Sequence, residues 1–96
     1  MVVIGVLQVD LYLHGVLSLK QKRGVVQRIL ARCRNRFPVS AAEVGDQDLW
    51  QSARLGFVMV SSSEQVLAPV LQRLEDEIDG CADAELAGCQ VEYIHY

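Results

Sequence analysis

The sequence has little of several residue types, and each shortage excludes a class of protein. Only two residues are proline and 51% are apolar, so the chain does not have the composition of a disordered protein. Its three cysteines show no Cys-x-x-Cys spacing. The apolar residues 1–9 are too few to span a bilayer and lack a basic leader. We therefore expect one globular domain over residues 1–96, with reduced thiols, no membrane association and a cytoplasmic location.

Motifs for catalysis or cofactor binding are also lacking. The sequence has no glycine-rich phosphate loop, and no Ser-His-Asp or Cys-His set can be identified, so we predict no catalytic residue, cofactor or small-molecule ligand. Glu43, Asp46 and Asp48 could offer oxygen ligands to a hard metal ion. Carboxylates in a turn are more often turn formers, so no metal site is predicted. His14 and His95 are expected to cap strand ends in water.

Hydrophobic periodicity divides the chain into six elements. Apolar and polar residues alternate in residues 2–14, which predicts a strand with one buried face, and residues 39–44, 53–60 and 86–96 also read as strands. Apolar residues recur at helical spacing in residues 18–37 and again after Ser62. Cys33 is expected to be a small core residue on the first helix.

Local signals mark where the two helices begin and end. Ser18 with Gln21, and Ser62 with Gln65, each match a capping box. Pro38 should stop the first helix, and Pro69 should bend the second or delay its regular start. Gly80 is a candidate for the residue that follows the second helix.

The order β-α-β-β-α-β favours one fold class. Two helices with one apolar stripe each cover only one face of a four-stranded antiparallel sheet, which is the α+β ferredoxin-like arrangement. That topology places the first and third strands in the centre of the sheet. These two segments are the ones that are apolar on both faces, so pattern and topology agree. The last strand, of mixed character, is expected at an edge.

The basic first helix carries the main functional signal. Residues 18–37 hold seven of the nine basic residues and no acidic one, in a chain of net charge −3. Cations in a first helical turn oppose the helix macrodipole by up to about 1 kcal/mol each, which favours an anion-binding role there. The alternative is a solvated polar face with Lys22 laying its stem along the apolar stripe. On the first interpretation, RNA or the ribosome is bound through Lys20, Lys22, Arg23, Arg28, Arg32 and Arg36.

The third strand offers a second functional hypothesis. Its match to RNA-recognition motifs is weak, because it has one aromatic residue where those motifs stack two or three bases on aromatic side chains. Exposure of its apolar residues together would make a patch that monomers rarely tolerate. The alternative function is therefore a homo-oligomeric interaction module, a dimer that uses the open sheet face. Trp50 is interpreted as a binding platform or, preferably, as a lid over the core edge. The candidate interface residues are Leu55, Phe57, Met59 and Trp50.

Three segments together resemble the YlxP-like family of small bacterial proteins. They are SLKQKR at residues 18–23, RNRF at 34–37, and AEV at 42–44 continuing through QDLWQ at 47–51 to LG at 55–56. Gln21 and Gly24 depart from the acidic and basic residues usual in the family at these positions. The resemblance implies a ferredoxin-like fold and no established activity. Family members are often encoded among translation and ribosome-maturation genes, which implies an RNA- or ribosome-associated role.

Overall fold

The computed structural model describes all 96 residues and contains six elements in the predicted order. Each differs from its predicted bounds by only a few residues. The elements are β1 (Val3–Leu13), α1 (Leu19–Arg36), β2 (Ser40–Gly45), β3 (Ser52–Ser61), α2 (Glu64–Asp79) and β4 (Ala84–His95).

The strands form one open antiparallel sheet in the order β2-β3-β1-β4. The predicted ferredoxin-like α+β fold is confirmed, with β1 and β3 in the centre and β4 at an edge. Neither helix is both long enough and apolar enough to cross a membrane.

The core lies between the sheet and the two helices. Alternate side chains of β1 and β3 point towards the helices, so that Leu55 lies opposite Val9 and Phe57 opposite Leu7 across the central pairing. All four are completely buried. Burial of such a side chain contributes about 1.5–3 kcal/mol. Cys33 belongs to this core, as predicted.

This burial corrects the predicted interface. Leu55, Phe57 and Met59 are 0%, 0% and 8% exposed, and so cannot form a patch on the open face. A strand that is apolar on both sides does not reveal which side the helices cover. Trp50 lies in the β2–β3 connection, 52% exposed and outside the set of residues packed on the core, so the lid interpretation is also wrong.

The start and end of α1 follow the sequence signals. Gln21 N donates to Ser18 Oγ at 3.1 Å, and Gln21 Oε1 accepts from Leu17 N at 2.7 Å. In a capping box the Gln21 side chain would accept from the backbone N–H of Ser18, but here it accepts from that of Leu17, one residue earlier. Two backbone donors are still satisfied. The helix ends at Arg36, before Pro38.

The signals for α2 are less accurate. The N-cap is Ser63, not Ser62, and its side chain makes no capping hydrogen bond. Pro69 lies inside a helix that continues to Asp79, and Gly80 is the C-cap itself with φ −82°, so it is not a left-handed residue beyond the cap. Val66, one of the apolar residues that recur at helical spacing after Ser62, is 53% exposed.

Candidate functional site: the basic helix and the open sheet face

Lys22, one of the predicted anion-binding residues, is buried. Its side chain is 2% exposed, and its Nζ lies 3.1 Å from Glu43 Oε2 on β2. The same ammonium donates to the backbone carbonyl of Asp46, which has a left-handed φ of +60° in the β2–β3 turn. Lys22 therefore joins the start of α1 to β2 and the turn after it. Its ammonium does not reach the outer surface of the helix.

Arg28, Arg32 and Arg36 lie on the side of α1 that faces α2 and the loop before β4. Arg32 Nε and Arg36 Nη1 lie 2.6 and 3.0 Å from the two carboxylate oxygens of Glu77. Arg28 Nη2 lies 3.6 Å from Asp83 Oδ2, with both side chains largely exposed. These three predicted residues follow one another at steps of four and so share one side of the helix, but each already has a carboxylate partner.

A different set of cations lies on the outer face of α1. Lys20, Arg23 and Arg34 are exposed, and none of them has an ion-pair partner. Arg34 donates instead to the backbone carbonyl of Ala41. We call Lys20, Arg23 and Arg34 the outer basic strip. It contains two predicted residues, and a third, Arg34, that the prediction omitted although it lies on the same helix.

The start of α1 also borders a shallow cleft of about 460 Å³. Lys20 and Arg28 line it from the helix, His14 from the turn after β1, and Asp83 from the loop before β4. Two cations and one carboxylate therefore line this cleft.

The open sheet face is aliphatic at one end and polar at the other. Cross-strand neighbours form rows: Val60, Ile4 and Ile94 in the first, and Val58, Val6 and Glu92 in the second. The third row contains Gly56 with Gln8 and Gln90, whose side chains make a weak contact at 3.4 Å. The fourth contains Arg54, Asp10 and Gly88.

The fourth row contains a hydrogen-bonded charged pair, Asp10 and Arg54. Arg54 Nε donates to Asp10 Oδ1 at 2.7 Å, and this hydrogen bond and the charge of Asp10 raise the pKa of Arg54 above its ordinary value. Gly45 and Gly88 flank the pair at the two edges, where an added Cβ would come within 3.2 Å of Arg54 Cδ and Asp10 Oδ2 respectively. The pair was not predicted, because Asp10 and Arg54 become neighbours only through sheet register.

Comparison with known proteins places the chain in a family. Residues 4–91 match the family model described as "Protein of unknown function (DUF503)". The chain belongs to this family. It is also 40% identical over 82 residues to the "Uncharacterized protein YlxP" of Bacillus subtilis (strain 168), which is 85% of this chain and 89% of that protein. The resemblance stated from the sequence segments is confirmed, and neither description assigns a function.

This member of the DUF503 family brings together no group of three or more His, Cys, Asp or Glu side chains that could hold a metal ion. Of the three carboxylates weighed as ligands, Glu43 pairs with Lys22, while Asp46 and Asp48 lie in the β2–β3 connection. His14 and His95 lie at the ends of β1 and β4, near Glu85 and Glu64 respectively.

Proposed function

We propose that the protein is a cytoplasmic, non-enzymatic binding protein whose α1 contacts the phosphates of RNA, such as ribosomal RNA. The observation that supports the proposal is the outer basic strip, in which Lys20, Arg23 and Arg34 have no carboxylate partner. Surface cations without a carboxylate partner can neutralise phosphates at little cost, because no existing ion pair has to be broken.

Helix geometry places the three side chains of the strip on one side of α1. At 3.6 residues per turn, Lys20, Arg23 and Arg34 fall within an arc of about 60°, and they span about 21 Å along the axis. The helix has no acidic residue. The strip therefore presents only positive charge, in a protein whose net charge is −3. This local excess favours a polyanion over a neutral partner.

The first test compares RNA binding and ribosome co-sedimentation of the wild-type protein and a Lys20→Glu, Arg23→Glu variant. Two or three phosphate contacts on single-stranded RNA correspond to a salt slope of about −1.4 to −2.1, so a fourfold rise in salt should weaken binding roughly tenfold. The variant should abolish binding and keep its circular dichroism spectrum. Unchanged co-sedimentation, or an affinity independent of salt, would refute the proposal.

A matched control separates a site on α1 from a general effect of charge. Arg23→Glu and Arg73→Glu change the net charge equally, at exposed arginines without a carboxylate partner on α1 and α2 respectively. Only Arg23→Glu should weaken binding strongly. Equal losses would show that net charge, and not α1, governs the affinity.

We propose homodimer formation through the open sheet face as a second function. The exposed aliphatic side chains of its first rows support this, since Val58, Val60 and Ile94 are 39%, 62% and 44% exposed on one face. Val58→Lys should convert the dimer to a monomer in sedimentation velocity experiments. Val66→Lys, at a 53% exposed valine on α2, is the matched control and should leave the dimer intact. A wild-type protein that is monomeric at tens of micromolar would exclude the dimer.

A further inference from the structure

The first four rows of the open face have a pattern that is complementary to itself. Charges on the three long strands are limited to Asp10 and Arg54 in the fourth row, Glu92 in the second, and Glu85 at the end of β4. The fourth row is nearly symmetric about the line between β1 and β3: glycines lie at both edges, with Arg54 on one side of the line and Asp10 on the other.

Two copies that pack face to face are related by a twofold axis lying in the plane of the interface. An axis across the strands would reverse the order of the rows and place the aliphatic end of one copy on the polar end of the other. An axis along the strands retains the order of the rows, so that aliphatic rows meet aliphatic rows. Only the second arrangement packs the central aliphatic residues of the first two rows against one another, Val58 on Val6 and Val60 on Ile4.

The position of this axis follows from the charges. With the axis over the line between β1 and β3, Arg54 of each copy lies against Asp10 of the other, and the four charges alternate in sign. Val58 then packs on Val6, and Glu92 faces Ser40, which pairs with Val58 at the other edge of the second row. With the axis over β1 itself, Asp10 would face Asp10. The first position avoids like charges and leaves Glu92 beside a polar residue at the rim.

The size of the face is adequate for this partner. Four strands about 4.8 Å apart and about ten residues long give a flat area of roughly 600 Å², and side-chain relief enlarges the accessible surface. A standard interface buries about 800 Å² per partner. The whole open face, and not the aliphatic end alone, is therefore needed, which requires the polar rows to match as well.

We infer that a second copy of this chain docks on the open face about a twofold axis parallel to the strands, between β1 and β3, with Asp10 and Arg54 paired across the interface. The inference rests on the homodimer proposed above and specifies its geometry. It also assigns to the Asp10–Arg54 pair a role in choosing the partner, beyond its contact within one chain.

A charge-swapped variant tests the axis. Asp10→Arg with Arg54→Asp keeps the pair within each chain and, in its own homodimer, keeps alternating charges. A mixed dimer with the wild-type chain instead places Asp10 against Asp and Arg54 against Arg. The swap leaves the mass unchanged, so one chain is labelled with ¹⁵N, and the chains are mixed in equal amounts and analysed by native mass spectrometry after subunit exchange.

The mixed dimer should be roughly tenfold rarer than the statistical share of one half, because facing like charges disfavour it. A statistical share would overturn the proposed axis while leaving the homodimer in place. Enrichment of the mixed dimer would also overturn it, since it would show that equivalent charges face each other. A monomeric wild-type protein would instead refute the homodimer.

A second pair of variants covers the case in which the swapped chain does not fold. Glu92→Lys and Ser40→Glu change exposed residues at the two edges of the sheet. Their mixed dimer gains one Lys–Glu contact across the proposed interface, whereas the Ser40→Glu homodimer places Glu against Glu92 at both edges, so the mixed dimer should exceed the statistical share. No enrichment would count against the axis independently of the swapped variant.

Discussion

Replacement of Lys22 by methionine should destabilise the protein strongly. The Lys22 side chain is 2% exposed, and its ammonium has two partners, the Glu43 carboxylate at 3.1 Å and the Asp46 carbonyl. Methionine is of similar length and fills the path of the lysine stem, so the change removes the charge with little loss of volume. It leaves the Glu43 carboxylate, 19% exposed, without its counter-ion and the carbonyl without a donor.

The expected loss is about 3–5 kcal/mol, the usual result of removing one partner of a buried pair. This is a large part of the total stability of a small domain, about 5–15 kcal/mol. The free energy of unfolding is measured by urea denaturation, monitored through circular dichroism, and the unfolding slope should stay constant if only stability changes. A loss smaller than about 1 kcal/mol would refute the reasoning, because it would mean that Lys22 can reach water instead.

A double-mutant cycle distinguishes loss of the pair from loss of packing. Lys22→Met with Glu43→Leu replaces both charges by apolar groups and should recover most of the stability, leaving a coupling energy of about 2–3 kcal/mol. Additive losses in the double variant would show that the two charges do not interact. The Asp46 carbonyl loses its donor in both variants that carry Lys22→Met, so this loss cancels in the coupling energy.

Three further predictions concern local features. Ser18→Ala should cost about 1 kcal/mol, whereas Ser63→Ala should cost close to nothing, because only Ser18 makes a side-chain capping bond; thermal denaturation compares them. Pro69→Ala should stabilise α2 by about 1–3 kcal/mol by restoring a helical hydrogen bond, and a lower urea midpoint would contradict this. Desolvation of the thiolate by partial burial and the hydrogen bond to Glu75 raise the pKa of Cys89 to about 12, so its alkylation at pH 8.5 should be slow, accelerate as the pH rises, and be faster in Glu75→Gln.

The elements, their order and the positions of the strands could be predicted because each depends on local pattern. Alternation in β1 and the stripe of α1 directly identify which side chains are buried, and topology then follows from having two one-sided helices. The capping box at Ser18 was predictable for the same reason. At Ser62 the local pattern matched equally well, but the turn after β3 places Ser63 at the cap position.

The functional surfaces could be predicted only in part, because they depend on contacts between distant residues. Lys22 resembles its exposed neighbours Lys20 and Arg23 in sequence, and only the approach of β2 and the β2–β3 turn buries it. Likewise, Leu55 and Phe57 differ from Val58 only in which way the strand faces. The pairing of Phe57 with Leu7 and of Leu55 with Val9 determines which side chains of β3 face the helices. This register cannot be inferred from the sequence of a strand that is apolar on both sides.

The two proposed surfaces lie on opposite sides of the molecule, and this makes their functions compatible. The outer basic strip is on the solvent side of α1, while the open face is the side of the sheet that the helices do not cover. Dimerisation through the open face would therefore place the two sheets together, about 10 Å apart, and leave both copies of α1 on the outer sides of the dimer. One RNA strand bound to one copy would not block the other, so the Val58→Lys monomer should keep the intrinsic affinity of each strip and lose only the additional affinity that comes from two linked sites.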